Sequence, residues 1–177
     1  MKPVLMIHEI KESLFDLPLE DYILTFDDGL YSQYYYRKKF LELNTTKIYF
    51  ISTKYICDSN QSRDFPTSIV AHEKARTGNY EDFMTLHQIK ELQKDPNVYI
   101  GGHSHSHLDL REMPSLLEKV NHIRKDTEQM INWFATNLNS LPTRFCYPYN
   151  YDLNGIYPRM LKRYGITKYF GSERIPA

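Results

Sequence analysis

Apolar residues along the chain fall into short continuous runs, separated by longer stretches in which they recur every three or four positions. The runs are Val4–Ile7, Tyr22–Phe26, Lys47–Ile51, Val98–Gly101, Arg144–Tyr147 and Thr167–Phe170. Several are too continuous to leave one face wet, which predicts buried strands. The clearest helix is predicted over Ser115–Leu138, where Leu116, Val120, Ile123, Thr127, Met130, Phe134 and Leu138 share a face. Its start, Ser115 to Glu118 after Pro114, has the form of a capping box. Shorter helices are predicted over Ser32–Leu43, Thr85–Lys94 and Tyr157–Tyr164, the last stopped by Gly165. Strands alternating with helices predict an α/β fold on a mostly parallel sheet, either open and doubly wound or an incomplete barrel. The stretch Tyr55–Asp82 shows no clear period and reads as a long loop, of a length that usually serves a function.

Composition narrows this picture. A chain of 177 residues suits one domain, and without repeats, linkers or low-complexity tracts it is read as a single domain over 1–177. Lys+Arg and Asp+Glu each total 22, so the zero formal charge argues against a protein that coats nucleic acid or anionic membrane. The 15 tyrosines against one tryptophan suit a surface or cleft that packs flat polar ligands such as sugars, and suit core and edge packing equally well. Cys57 and Cys146 form no C-x-x-C pair, so neither a disulfide framework nor a thiolate zinc site is expected. The first residues break their apolar run within a few positions, and no stretch approaches the roughly 20 apolar residues of a membrane span. A cytoplasmic protein with no membrane span is expected; its oligomeric state is not legible.

Three polar clusters each follow a predicted strand: Thr25-Phe26-Asp27-Asp28-Gly29, then Gly102-His103-Ser104-His105-Ser106-His107, then Phe145-Cys146-Tyr147-Pro148-Tyr149-Asn150. In parallel α/β folds the C-terminal strand ends share one rim, so the three can converge. Taken alone, Asp28-Gly29 and Pro148-Tyr149 are ordinary turns. Three imidazoles in five residues read instead as metal ligands. In an extended chain His103 and His107 would lie roughly 13 Å apart, too far for one ion. A helical turn after Gly102 would bring them to about 5–6 Å, with His105 pointing elsewhere as a supporting or exposed residue. Two imidazoles and one carboxylate leave a coordination position for water, as catalytic zinc sites do. Of the neighbouring Asp27 and Asp28, one ligates and the other accepts a proton. Zinc lowers the pKa of its water from 15.7 to about 7, which suits hydrolysis of an amide or ester.

On these residues the sequence resembles the polysaccharide deacetylases, the NodB-homology domains of carbohydrate-esterase family four. Thr25–Gly29 is similar to the family's T-F-D-D-G motif, His103–His107 to H-[S/T]-x-x-x-H, and Val4–Ile10 to its first strand. The resemblance runs from about Val4 to Asn150. It implies a distorted, incomplete (β/α) barrel, with Asp27 as general base and Asp28, His103 and His107 as metal ligands. It also implies that the Tyr149 backbone N–H binds the oxyanion, with Tyr147 and Pro148 lining the substrate site. Departures are visible: Cys146 replaces an arginine, Asn150 replaces a glycine, and no histidine follows His122 to supply a late L-x-H motif. His8, at the end of the first strand, is the remaining candidate for protonating the leaving group.

The expected function is a metal-dependent hydrolase that removes an N- or O-linked acetyl group from a sugar or glycan intermediate. The ion is divalent, with zinc expected, although the same ligands accept cobalt and others. With no leader segment, a nucleotide- or lipid-linked sugar is the expected substrate. The alternative is a catalytically silent sugar-binding or partner subunit that keeps the metal site, motivated by the missing arginine and late histidine.

Overall fold

A computed structural model describes residues 2–171 and 175–176. All six predicted strands form, each within one residue of its expected limits: β1 (Val4–Ile7), β2 (Ile23–Phe26), β3 (Lys47–Ile51), β4 (Val98–Gly102), β5 (Arg144–Cys146) and β6 (Lys168–Phe170). A short β7 (Ile175–Pro176), outside the predicted set, pairs with β1. The pairings of β1 with β2 and β7, β2 with β3, β4 with β5, and β5 with β6 are all parallel. With helices between the strands, this is the distorted, incomplete (β/α) barrel that the sequence predicts.

Contacts divide the chain into two compact units. The first holds the residues through Phe50, then Tyr55–Ile100, then β7; the second holds Ile51–Lys54 and the chain from Gly101 through β6. The first carries the run β4-β3-β2-β1-β7 of the sheet order, and the second the run β6-β5-β4.

In the first unit the register sets Ile7 opposite Phe26, so the residues that follow, His8 and Asp27, leave the sheet side by side. The helix expected over Ser32–Leu43 is broken into α1 (Tyr31–Tyr35) and α2 (Arg37–Leu41). The break is at Tyr36, whose ψ of 7° lies outside the helical range. Its ring packs 6.2 Å from Phe15 and 5.9 Å from Phe65. The Tyr55–Asp82 stretch, expected to be a loop, contains α3 (Ser68–Arg76), started by the Thr67 side chain accepting from the Val70 N–H. Its inward face is Ala71, His72 and Ala75, small or polar residues that leave no apolar period to read. Ala71 and Ala75 pack with Leu30, Tyr55 and Phe83. The predicted Thr85–Lys94 helix is α4 (Leu86–Leu92), whose capping box joins Thr85 to Gln88.

In the second unit the long helix forms as α5 (Leu116–Leu138), with the Ser115 hydroxyl accepting from the Glu118 N–H and Asn139 closing it in a left-handed conformation. The Met130 sulfur on its buried face lies 2.5 Å from where a Cβ on Gly102 would sit, so a larger residue at this position in β4 would force the Met130 side chain to move. The final predicted helix is α6 (Ile156–Leu161), followed by a 3-10 turn that ends at left-handed Gly165.

Lys47 in β3 is fully buried, and its Nζ donates to the Leu43 carbonyl over 2.7 Å. Burial holds its ammonium below the ordinary 10.5, against the opposing pull of Asp95 and Glu20. Between that lowered value and 10.5 the unfolded chain binds more protons at this site than the folded one, so stability rises with pH there. Lys47→Met is expected to flatten this rise and to leave the protein up to about 2 kcal/mol more stable at neutral pH. Urea denaturation of both proteins from pH 7 to 10.5 checks it; parallel stability curves would contradict it.

Candidate active site

In the first unit the acids stand where β2 ends. Both are buried, Asp28 takes φ 76° and Gly29 φ 79°, so the chain reverses immediately after Asp27. Aspartate tolerates this left-handed geometry better than most residues. Asp27 is fixed by its own backbone: its N–H donates to the Ile7 carbonyl over 3.0 Å, and its carbonyl accepts from Gln33 Nε2 at 2.6 Å. The same Gln33 nitrogen lies 3.0 Å from the His8 carbonyl, which it also serves as donor, tying the ends of β1 and β2 together. An extended chain would send the two carboxylates to opposite sides, but the turn at Asp28 prevents that. His8 Nε2 lies 3.9 Å from Oδ2 of Asp27 and 3.9 Å from Oδ2 of Asp28. Two residues of α3 meet Asp28 as well: Ser68 Oγ donates to Oδ2 over 2.5 Å, and His72 Nε2 lies 3.1 Å from Oδ1.

In the second unit the histidine segment does not form the expected helical turn; residues 103–107 are irregular. The reversal comes from left-handed Ser104 (φ 64°) and His107 (φ 51°) and from a carboxylate on α5. Asp126 accepts from the His105 N–H at 2.6 Å, the Ser106 N–H at 2.9 Å and the Ser106 hydroxyl at 2.5 Å. The His107 N–H donates to the Ser104 hydroxyl over 2.9 Å. The result still brings the His103 and His107 rings to 4.8 Å between centroids. His103 Nδ1 is 2.8 Å from the Cys146 carbonyl. A carbonyl only accepts, so Nδ1 carries the proton and Nε2 keeps its lone pair. That is the arrangement by which a metal-ligating histidine is oriented through its other nitrogen. His105 is half-buried with Nδ1 2.9 Å from the Thr53 hydroxyl, and burial holds its imidazolium below the ordinary range.

The third cluster ends β5 in a 3-10 turn with Tyr149 at φ 56° and Asn150 at φ 54°. Asparagine takes this conformation readily, which is how Asn150 stands in a position usually given to glycine. The Tyr149 ring lies 5.1 Å from that of His107, and the Arg111 guanidinium lies 5.3 Å over it. Pro148 is buried. The Tyr147 side chain is 6% exposed and packs against Phe145, Tyr157 and Tyr169, and burial pushes its phenol well up. It packs among the rings of this unit's core.

The donors suit a divalent ion. Asp28 and His72 offer ligand atoms within 4.8 Å of each other, as do His103 and Cys146. Carboxylate oxygen and imidazole nitrogen are the set that zinc and similar ions take. Sequence reasoning missed Asp126, Gln33, Ser68 and His72. Asp126 had a signal, an acid amid the apolar stripe of α5; the α3 residues had none.

The fold and the three motifs agree with one class of protein, the polysaccharide deacetylase family. A family model described as polysaccharide deacetylase matches residues 18–169, and the chain belongs to that family. Among solved structures the chain is similar to IcaB from Ammonifex degensii, at 17% identity and a TM-score of 0.72, over 98% of this chain and 84% of that one. It is similar also to the BpsB deacetylase domain from Bordetella bronchiseptica, at 14% identity and 0.66, over 98% and 93% of the two chains. A third likeness is to the de-N-acetylase from Aggregatibacter actinomycetemcomitans, at 15% and 0.66, over 97% and 76%. No curated protein matches. No helix among the described residues is long and apolar enough to cross a membrane.

Asp126→Ala leaves the His105 and Ser106 donors without their acceptor and is expected to cost about 1–3 kcal/mol. The His103 and His107 imidazole resonances should broaden or shift, and Asp126→Asn should lose less. Denaturation curves and imidazole NMR spectra that match wild type would contradict the assignment.

Proposed function

We propose that this chain is a metal-dependent hydrolase that removes an acetyl group from an acetylated amino sugar or glycan. The observation that carries the reading is the His103 tautomer: its bond to the Cys146 carbonyl leaves Nε2 as a ligand nitrogen, in a chain of the deacetylase family. Asp28, His103 and His107 would hold the ion, and zinc fits the donors best. When bound, a divalent ion polarises the acetyl carbonyl and lowers the pKa of water.

The remaining work belongs to this chain's own groups. Asp27, fixed through its backbone N–H and carbonyl, accepts the proton from the attacking water. The Tyr149 N–H, in a turn forced into left-handed geometry, donates to the oxyanion as charge develops. Pro148 rigidifies the approach to that turn.

The test is metal content and acetate release, measured together on a panel of acetylated amino sugars and glycans. Wild type should hold one ion per chain and release acetate. Asp27→Asn should keep the ion and lose about 10²–10⁴-fold in rate. Asp28→Ala should lose ion and activity together, and a variant that kept both would overturn the site. An ion held by wild type with no acetate from any substrate would favour the silent sugar-binding reading.

A further inference from the structure

The segment between β3 and α4 has no role in the chemistry described so far, although it reaches the acids. Its helix α3 presents Ser68 and His72 one turn apart, on the same face. Ser68 Oγ donates to Asp28 Oδ2 over 2.5 Å, and His72 Nε2 stands 3.1 Å from Asp28 Oδ1. One helix therefore touches both oxygens of one carboxylate.

Neither contact is loose. The Ser68 N–H donates to Glu9 Oε1 over 2.8 Å, which ties the start of α3 to the segment just beyond β1. The His72 ring is buried and wedged at steep angles against Tyr55 (5.4 Å) and Phe83 (5.5 Å). Its neighbours Ala71 and Ala75 lie in the same apolar cluster, so the ring cannot swing without opening that cluster. A carboxylate free to rotate about its terminal torsion samples a broad, two-fold range. The Ser68 hydrogen bond on Oδ2 and the close approach of the His72 ring to Oδ1 narrow that freedom before any ion arrives.

From this geometry we infer that α3 is a clamp, with Ser68 and His72 as positioning residues that preset the Asp28 carboxylate for the divalent ion. The inference rests on the proposed metal site and adds to it a determinant of ion affinity outside the three motifs. Supporting groups of this kind typically change metal affinity 10–100-fold when removed.

The test is ion affinity, measured by chelator competition with zinc and by the visible spectrum of the cobalt-loaded protein, on the purified full chain. Ser68→Ala and His72→Ala are each expected to weaken zinc binding about 10–100-fold and to alter the cobalt spectrum. Ser68→Thr, which keeps the hydroxyl donor, and His72→Gln, which keeps a polar group beside Oδ1, should recover part of the loss. Because His72 is buried, Glu73→Gly on the exposed face of α3 serves as the structural control: it loosens the helix and lowers the melting temperature but should leave zinc affinity unchanged. Folded Ser68→Ala and His72→Ala proteins with wild-type zinc affinity would overturn the clamp, even if Asp28→Ala abolished binding as the metal site requires. Equal losses in Glu73→Gly would also overturn it, by reducing the effect to helix stability. If wild type binds no zinc, both the clamp and the metal site fall.

Discussion

The geometry of the histidine segment depends on one buried carboxylate. Asp126 is 2% exposed on the inner face of α5, among Ile123, Thr127 and Met130. A charge taken out of water to that extent costs several kcal/mol unless donors meet it. Here two consecutive backbone N–H groups and a hydroxyl do so, all from the segment that carries His103 and His107. The carboxylate and the segment stabilise each other: α5 fixes the acid, and the acid folds a loop that has no helical hydrogen bonds of its own. His122 Nε2, 3.6 Å from the same carboxylate, adds a further positive partner when protonated.

A second constraint recurs at the strand ends. Asp28, Ser104, His107, Tyr149 and Asn150 all have positive φ, and all lie in the three motifs. Residues other than glycine held in this region cost of order 1 kcal/mol or more each and persist where surroundings over-determine them. The surroundings are visible at four of the five. Asp28 is met by Ser68, Ser104 offers its hydroxyl to the His107 N–H, and the Tyr149 ring is flanked by His107 and Arg111. Asp, Asn and His tolerate the conformation relatively well; Tyr149, like Phe65 and Leu153 elsewhere in the chain, does not and is held there by its surroundings.

Much of this was legible in the sequence because buried parallel strands write themselves as apolar runs, and α5 keeps its period over 23 residues. The motif residues were legible as types, although their local shape was not. A spacing of i to i+4 is satisfied as well by a turn with two left-handed residues as by a helix, and the partners of the segment decide between them: Asp126 on its N–H groups, and the Thr53 and Lys54 N–H groups on the Ser104 and His105 carbonyls. Helix α3 was hidden because it buries alanines and a histidine, which carry no hydrophobic signal. Phe145 lies two positions before Tyr147, so strand alternation puts both rings on one side, where they pack together. Asp27 and Asp28 were expected on opposite sides by that same alternation, which fails once Asp28 turns left-handed.

The most direct measurement is a crystal structure of the zinc-loaded protein with anomalous scattering recorded at the zinc edge. The account predicts one strong peak within bonding distance of Asp28, His103 Nε2 and His107, with His103 Nδ1 still donating to the Cys146 carbonyl. A peak that His103 reaches through Nδ1, or no peak at Asp28, would contradict it.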